Sequence, residues 1–73
     1  MNCPVCGADA VNETPGDFAG LIVGCRHCGT FEIPDEVLND FLRLDFDARR
    51  SALQQAKQAA TGGALPSIIH AYF

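Results

Sequence analysis

The chain has 73 residues and a net charge of −4, and 48% of its residues are hydrophobic. This length allows one domain, and so small a core usually needs a metal, disulfides or a partner for stability. The hydrophobic fraction excludes wholesale disorder, and no apolar run approaches the roughly 18 residues that span a bilayer.

Residues 1–33 contain all four cysteines, in two CxxC pairs separated by 18 residues and each followed by glycine. These segments are Cys3-Pro4-Val5-Cys6-Gly7 and Cys25-Arg26-His27-Cys28-Gly29. Each predicts a tight turn with both sulfurs on one side, and two facing turns supply the four soft ligands that zinc prefers. We therefore predict one structural Zn²⁺ ion, bound by Cys3, Cys6, Cys25 and Cys28, with His27 pointing outward.

Two short strands accompany these turns in the predicted structure. Residues 18–23 are the best strand candidate between the cysteine pairs, and residues 30–33 alternate with period two. Between Asn12 and Asp17, the Pro15-Gly16 dipeptide predicts an exposed turn.

The composition changes at Pro34, where Pro34-Asp35-Glu36 is typical of a helix start. An apolar stripe follows at helical spacing: Val37, Leu38, Phe41 and Leu42. Asp45 or Asp47 is a candidate cap for a second helix over residues 48–60, which Gly62-Gly63 would end. The sequence leaves open whether this region forms one helix or two.

The C-terminal tail contains four large apolar residues, which are Ile68, Ile69, Tyr72 and Phe73. They either fold back onto the domain or remain exposed as a docking peptide. Overall the sequence predicts a small zinc-stabilised α+β domain. It comprises a zinc ribbon (1–33), a helical segment packed on it (34–61) and a C-terminal tail (62–73).

The two glycine-flanked knuckles resemble those of zinc ribbons, and this likeness covers residues 1–33. The whole chain also resembles small phage-encoded regulators of host bacterial RNA polymerase, in its length, its CPVCG and CRHCG knuckles and its acidic helical tail. The resemblance implies a transcription regulator that binds the large polymerase subunits. Such a regulator inhibits initiation in competition with sigma and promotes antitermination.

Two alternatives remain from the residues themselves. A nucleic-acid-binding ribbon would have to use Arg26, His27, Arg49 and Arg50. Four thiolates and one zinc ion make the folded charge about −6, which opposes such binding. A rubredoxin-like iron carrier also has four cysteines, but the chain has no Trp and lacks the longer cysteine separation and aromatic-rich surround of that family.

The sequence shows no recognisable group of catalytic residues. A closed four-cysteine shell leaves no position for substrate, no serine adjoins a base, and His70 is isolated. The absence of a signal peptide predicts a cytoplasmic protein, where reduced thiols favour metal over disulfides. We expect a monomer that binds neither membranes nor nucleic acid directly.

The partner-binding surface is expected on apolar residues that so thin a ribbon leaves exposed. The candidates are Val5, Leu21, Ile22 and Val23. Phe31 and Ile33 are instead expected to pack against the helical stripe.

Overall fold

A computed structural model describes residues 1–73 and contains three strands, two α-helices and a short 3-10 turn. The strands are β1 (Ala10–Asn12), β2 (Gly20–Cys25) and β3 (Gly29–Pro34), which form one antiparallel sheet in that order. Strands β2 and β3 confirm the two predicted strands, with bounds shifted by one or two residues. β1 has no counterpart among the predicted elements. The predicted α+β class is confirmed.

Polar contacts order the connection between β1 and β2. Asn12 Oδ1 accepts a hydrogen bond from the Thr14 N–H at 3.0 Å, and Thr14 Oγ1 accepts one from the Ile22 N–H at 2.8 Å. Gly20 begins β2 with a φ of +149°, and a Cβ atom there would lie 2.5 Å from the Ile33 carbonyl oxygen. The close approach of β2 and β3 at this point therefore requires glycine.

The helical segment forms two helices, α1 (Asp35–Arg43) and α2 (Phe46–Ala59). Pro34 is the N-cap residue of α1, as its predicted helix start implies. Asp45 is the cap of α2, because its side chain accepts a hydrogen bond from the Ala48 N–H at 2.8 Å. None of the helices has the length and apolar composition needed to cross a membrane.

The break between the helices lies at Leu44 and Asp45, which both adopt extended backbone conformations with ψ of 154° and 171°. After α2, Gly62 and Gly63 have φ of +61° and +78°. These left-handed conformations suit glycine. However, α2 ends before them, because Ala60 already has an extended conformation with ψ of 130°. The prediction that Gly62-Gly63 ends the helix is therefore wrong.

One core joins the sheet, both helices and the tail. Phe31 and Ile33 on β3 pack there with Val37 and Phe41 of α1, as expected. Leu42 was predicted for the same stripe but is 44% exposed, because one further residue rotates its side chain by about 100° around the helix. The thirteen buried residues of the core are Cys3, Val5, Ala10, Val23, Cys25, Phe31, Ile33, Val37, Phe41, Ala52, Leu53, Ala56 and Ile68.

The tail folds back along the outer edge of β3. The Glu32 N–H donates to the Pro66 carbonyl oxygen at 2.9 Å, and the Ile68 N–H donates to the Glu32 carbonyl oxygen at 3.0 Å. Ile68 is fully buried, and His70 Nε2 lies 3.1 Å from Asp40 Oδ2 on α1. The tail therefore packs on the domain through Ile68 and the partly buried Tyr72, whereas Ile69 and Phe73 remain 42% and 39% exposed.

Candidate metal centre

The four cysteines come from two tight turns that the sheet brings together. Cys3 and Cys6 precede β1, Cys25 ends β2, and Cys28 lies in the turn to β3. The pairing of Ala10 with Cys25 places the first turn beside the second. All four Sγ atoms lie within 4.8 Å of one another, with 3.5 Å between Cys6 and Cys25 and 3.9 Å between Cys3 and Cys28. The predicted cluster is confirmed as a potential metal site.

The donor atoms fit a soft divalent ion. A tetrahedral shell with metal–sulfur bonds of about 2.3 Å requires sulfur–sulfur separations of about 3.8 Å, close to the two distances above. All four cysteines are free thiols. His27 is exposed and lies outside the cluster, as the sequence predicts.

Backbone amides point at the first sulfur of each turn. The Val5 N–H donates to Cys3 Sγ at 3.4 Å, and in the second turn the backbone amides of Cys28 and His27 act to lower the pKa of Cys25. The glycine that follows each turn has a φ of +78° or +80°, which lets the chain reverse direction. Hydrogen bonds of this kind stabilise the thiolate form of a cysteine.

Ionisation of the four thiols is uneven. Burial raises the pKa of Cys3 and of Cys28, and the neighbouring thiols raise that of Cys28 further. Burial opposes ionisation of Cys25 as well, yet the amides of Cys28 and His27, together with neighbouring thiols, lower the pKa of Cys25 to about 6. Sulfurs this close cannot all be charged without a cation among them. An ion bound by all four must therefore displace protons, at least from Cys3 and Cys28.

Two of the four residues predicted to contact a partner are buried. Val5 is 1% exposed and Val23 is 0% exposed, so the prediction that they face solvent is wrong. The helices and the tail add enough apolar surface to cover them. Leu21 is half-buried and packs against the same core, whereas Ile22 is half-buried on the opposite face of β2.

The sheet face opposite the core is open to solvent. Val11 on β1 is 63% exposed and pairs with Gly24, and exposed Thr30 pairs with Gly24 from the other side. The Glu13 carboxylate lies over Gly24, in space that a Cβ atom would need. We refer to this surface as the open sheet face; it comprises Val11, Glu13, Ile22, Gly24, Thr30 and Glu32.

Arg49 has a position that the cysteine pattern does not reveal. Its guanidinium donates to the carbonyl oxygens of Pro4, at 3.0 Å, and Leu42. Its Cζ lies 5.0 Å from the centre of the Phe46 ring, and its Nε is buried without a partner. No carboxylate pairs with it. The one sequence signal is its spacing of three residues from Ala52, which places it near the buried side of α2.

No family model matches the chain, and comparison with curated proteins and with solved structures gave no significant match.

Proposed function

We propose that the four cysteines bind one structural Zn²⁺ ion and that residues 1–33 form a zinc ribbon. The observation that supports this proposal is the cluster of four sulfurs within 4.8 Å. Four thiolates complete a tetrahedral shell, so the metal offers no open position for substrate and serves to stabilise the fold. We infer that the protein is not an enzyme and acts through its surface.

Metal analysis of protein purified without added metal tests the ion. One zinc per chain and a colourless solution are expected, whereas a red protein with stoichiometric iron would support the rubredoxin-like alternative. Less than stoichiometric amounts of any metal, with a well-dispersed NMR spectrum, would refute a structural metal.

We further propose that the protein binds bacterial RNA polymerase as a small transcription regulator that inhibits initiation, competes with sigma and promotes antitermination. The resemblance of its knuckles, length and acidity to phage regulators supports this proposal, and so does its charge distribution. Residues 1–42 contain seven acidic residues and one basic residue, whereas residues 43–73 contain two acidic and four basic residues. The acidic part suits a basic protein surface of the kind that otherwise holds nucleic acid.

Direct binding of nucleic acid has little support in the arginine contacts. Arg49 is committed to two backbone carbonyl oxygens, and exposed Arg50 lies 3.6 Å from the Asp47 carboxylate. Arg26 and His27 remain as the exposed candidates of the second turn. Submicromolar binding to free duplex in a gel shift near physiological salt, with a steep salt slope, would reverse this conclusion.

The open sheet face is the polymerase-binding surface in this proposal, since Val5 and Val23 are buried. It combines the exposed Val11 and half-buried Ile22 with the carboxylates of Glu13 and Glu32. A basic partner surface would satisfy both carboxylates while covering the apolar side chains.

Titration of purified polymerase into fluorescently labelled protein tests both the partner and the binding surface. We expect wild type to bind, Val11→Asp and Ile22→Asp to weaken binding at least tenfold, and Leu65→Asp to bind normally. Leu65 is a matched control, since it is an apolar residue of the tail that is 42% exposed. If wild type does not bind, the polymerase assignment fails. Equal binding by all folded, zinc-loaded variants would exclude the open sheet face and leave the partner assignment standing.

A further inference from the structure

We propose that Arg49 is a positioning residue of the metal centre, which strengthens the backbone hydrogen bond to the Cys3 sulfur through the peptide group joining Pro4 and Val5. The carbonyl oxygen of this peptide accepts from Arg49 Nη1 at 3.0 Å. The N–H of the same peptide donates to Cys3 Sγ at 3.4 Å. One planar peptide group thus connects a side-chain cation on α2 to a metal-binding sulfur. The inference rests on the proposed metal binding and is independent of any partner.

The physical link is polarisation of the peptide. The carbonyl and the N–H belong to one conjugated unit, so a donor on the oxygen draws electron density away from the nitrogen and makes its proton more positive. Successive hydrogen bonds strengthen one another by roughly 10–30%, and an ionised donor strengthens the first bond further. The Val5 N–H therefore bonds more strongly to the Cys3 thiolate when Arg49 is present.

The surroundings of Arg49 favour this role over that of a helix cap alone. Its second terminal nitrogen does bond the Leu42 carbonyl oxygen near the end of α1, which stabilises that helix. However, its Nε is buried and unpartnered, and no carboxylate offsets its charge. A partly buried cation is unfavourable without a nearby negative charge. Four thiolates around one divalent ion carry a formal charge of −2 and supply it beside Pro4.

The second turn provides an internal reference. The equivalent peptide joins Arg26 and His27, and the backbone amide of His27 lowers the pKa of the nearby Cys25 thiol. The Arg26 carbonyl oxygen accepts no side-chain hydrogen bond in the structure, and both residues are exposed. Loss of Arg49 should therefore affect the Val5 amide and leave the His27 amide unchanged.

The test compares wild type with Arg49→Met and, as a matched control, Arg50→Met. Methionine keeps the apolar stem and removes every donor, and Arg50 is the adjacent arginine, with its side chain 65% exposed and its terminal nitrogen near Asp47. Zn²⁺ affinity is measured by competition with a chromophoric chelator. The Co²⁺-loaded proteins report the sulfur-to-metal charge-transfer band, and the amide proton shifts of Val5 and His27 are read by NMR on the Zn²⁺-loaded proteins.

For Arg49→Met we expect a 10- to 100-fold lower Zn²⁺ affinity, the usual effect of removing a group that orients metal ligands. The Val5 amide proton should move upfield and the charge-transfer band to longer wavelength, because the Cys3 thiolate becomes more electron-rich. The His27 amide and the Arg50→Met protein should match wild type. A purely structural role for Arg49 would not shift the Val5 amide selectively.

Affinity within twofold of wild type, or an unchanged Val5 amide in a folded Arg49→Met protein, overturns the inference. If that variant does not fold, Arg49→Lys decides instead. In Arg49→Lys, one ammonium group replaces the guanidinium that bonds two carbonyl oxygens. The loss of Zn²⁺ affinity and the shift of the Val5 amide proton should therefore be smaller than those expected for Arg49→Met. The proposal is refuted if both quantities match those of wild type. Failure of wild type to bind one Zn²⁺ or Co²⁺ would instead refute the metal site itself.

Discussion

The two CxxC turns share one spacing and differ in nearly everything around it. In the first turn Cys3, Pro4 and Val5 are all buried, and Arg49 bonds the Pro4 carbonyl oxygen. The second turn carries Arg26 and His27 in the corresponding positions, and both are exposed to solvent. The first turn is part of the core, whereas the second projects from the end of the β2–β3 hairpin.

This difference shows that the local geometry of a CxxC turn and its burial are determined by different residues. The spacing and the following glycine fix the local turn and aim its amides at the first sulfur, in both cases. The two intervening residues then decide whether the turn joins the core or meets water. A metal bound to all four sulfurs would connect a turn anchored by packing to a turn held mainly by its hairpin.

Removal of a metal ligand from either turn should have the largest effect. Cys3→Ser and Cys25→Ser each replace a thiolate with a weak hydroxyl ligand, and zinc contributes on the order of 10 kcal/mol in small zinc domains. We expect both variants, and chelator-treated wild type, to lose metal and the dispersed NMR spectrum. If Cys25→Ser alone kept its fold, the anchored turn would not need the metal, and the proposed connection between the turns would be wrong.

Metal affinity should fall steeply as the pH is lowered. The pKa values of Cys3 and Cys28 are raised, so both thiols are protonated at pH 7 and must lose protons when the ion binds. Release of at least two protons gives a loss of at least about 100-fold in affinity for each pH unit. Below about pH 6, Cys25 adds a further proton, and the slope steepens. Competition titrations across this range measure the slope, and a change below tenfold per unit would contradict the four-thiolate site.

Truncation at the matched central position should distinguish the turns directly. Val5→Ala removes two buried methyl groups and should cost about 2 kcal/mol of unfolding free energy. His27→Ala removes an exposed side chain and should change it by less than about 0.5 kcal/mol. Chemical denaturation of the zinc-loaded proteins gives both values. Equal costs would mean that the environments of the two turns are more alike than their burial indicates.

The smallest effect concerns the support of the first turn by α2. Asp45→Ala removes the side-chain acceptor of the Ala48 N–H and should cost about 1 kcal/mol. Asp47→Ala is the control, since this exposed residue makes only a 3.6 Å ion pair with Arg50, which is worth little in water. In chemical denaturation, Asp45→Ala should have a clearly lower unfolding free energy than Asp47→Ala. The reverse order would mean that Asp45 is not the cap of α2.

The metal cluster and much of the secondary structure are predictable because their signals are local. Cysteine spacing fixes the sulfur positions within a turn, and Pro34-Asp35-Glu36 correctly predicts the start of α1. The sequence does not distinguish Asp45 from Asp47 as the cap of α2, since both precede helix-forming residues. The structure selects Asp45, because the chain leaves the helical conformation at Leu44 and re-enters it at Phe46.

Exposure was harder to predict, because it depends on what covers a residue from elsewhere in the chain. Period-two alternation places Val23 on the same side of β2 as Cys25 of the four-cysteine cluster, which is a usable signal for its burial. Val5 offers no such periodicity, since it lies in a turn. The packing of the tail depends on the free edge of β3 at Glu32, and the carbonyl partners of Arg49 lie seven and 45 residues away. Neither arrangement has a local signature.

Residues 1–42 carry a formal charge of −6 and residues 43–73 one of +2, an asymmetry that the total charge of −4 conceals. The molecule measures 27 × 26 × 23 Å, whereas salt screens charges beyond about 8 Å at physiological ionic strength. A partner therefore responds mainly to the charges nearest to the surface that it approaches. A positively charged surface would turn the acidic part of the molecule towards itself before contact. The association rate constant should accordingly fall as salt is added, while dissociation, governed by short-range contacts, changes little.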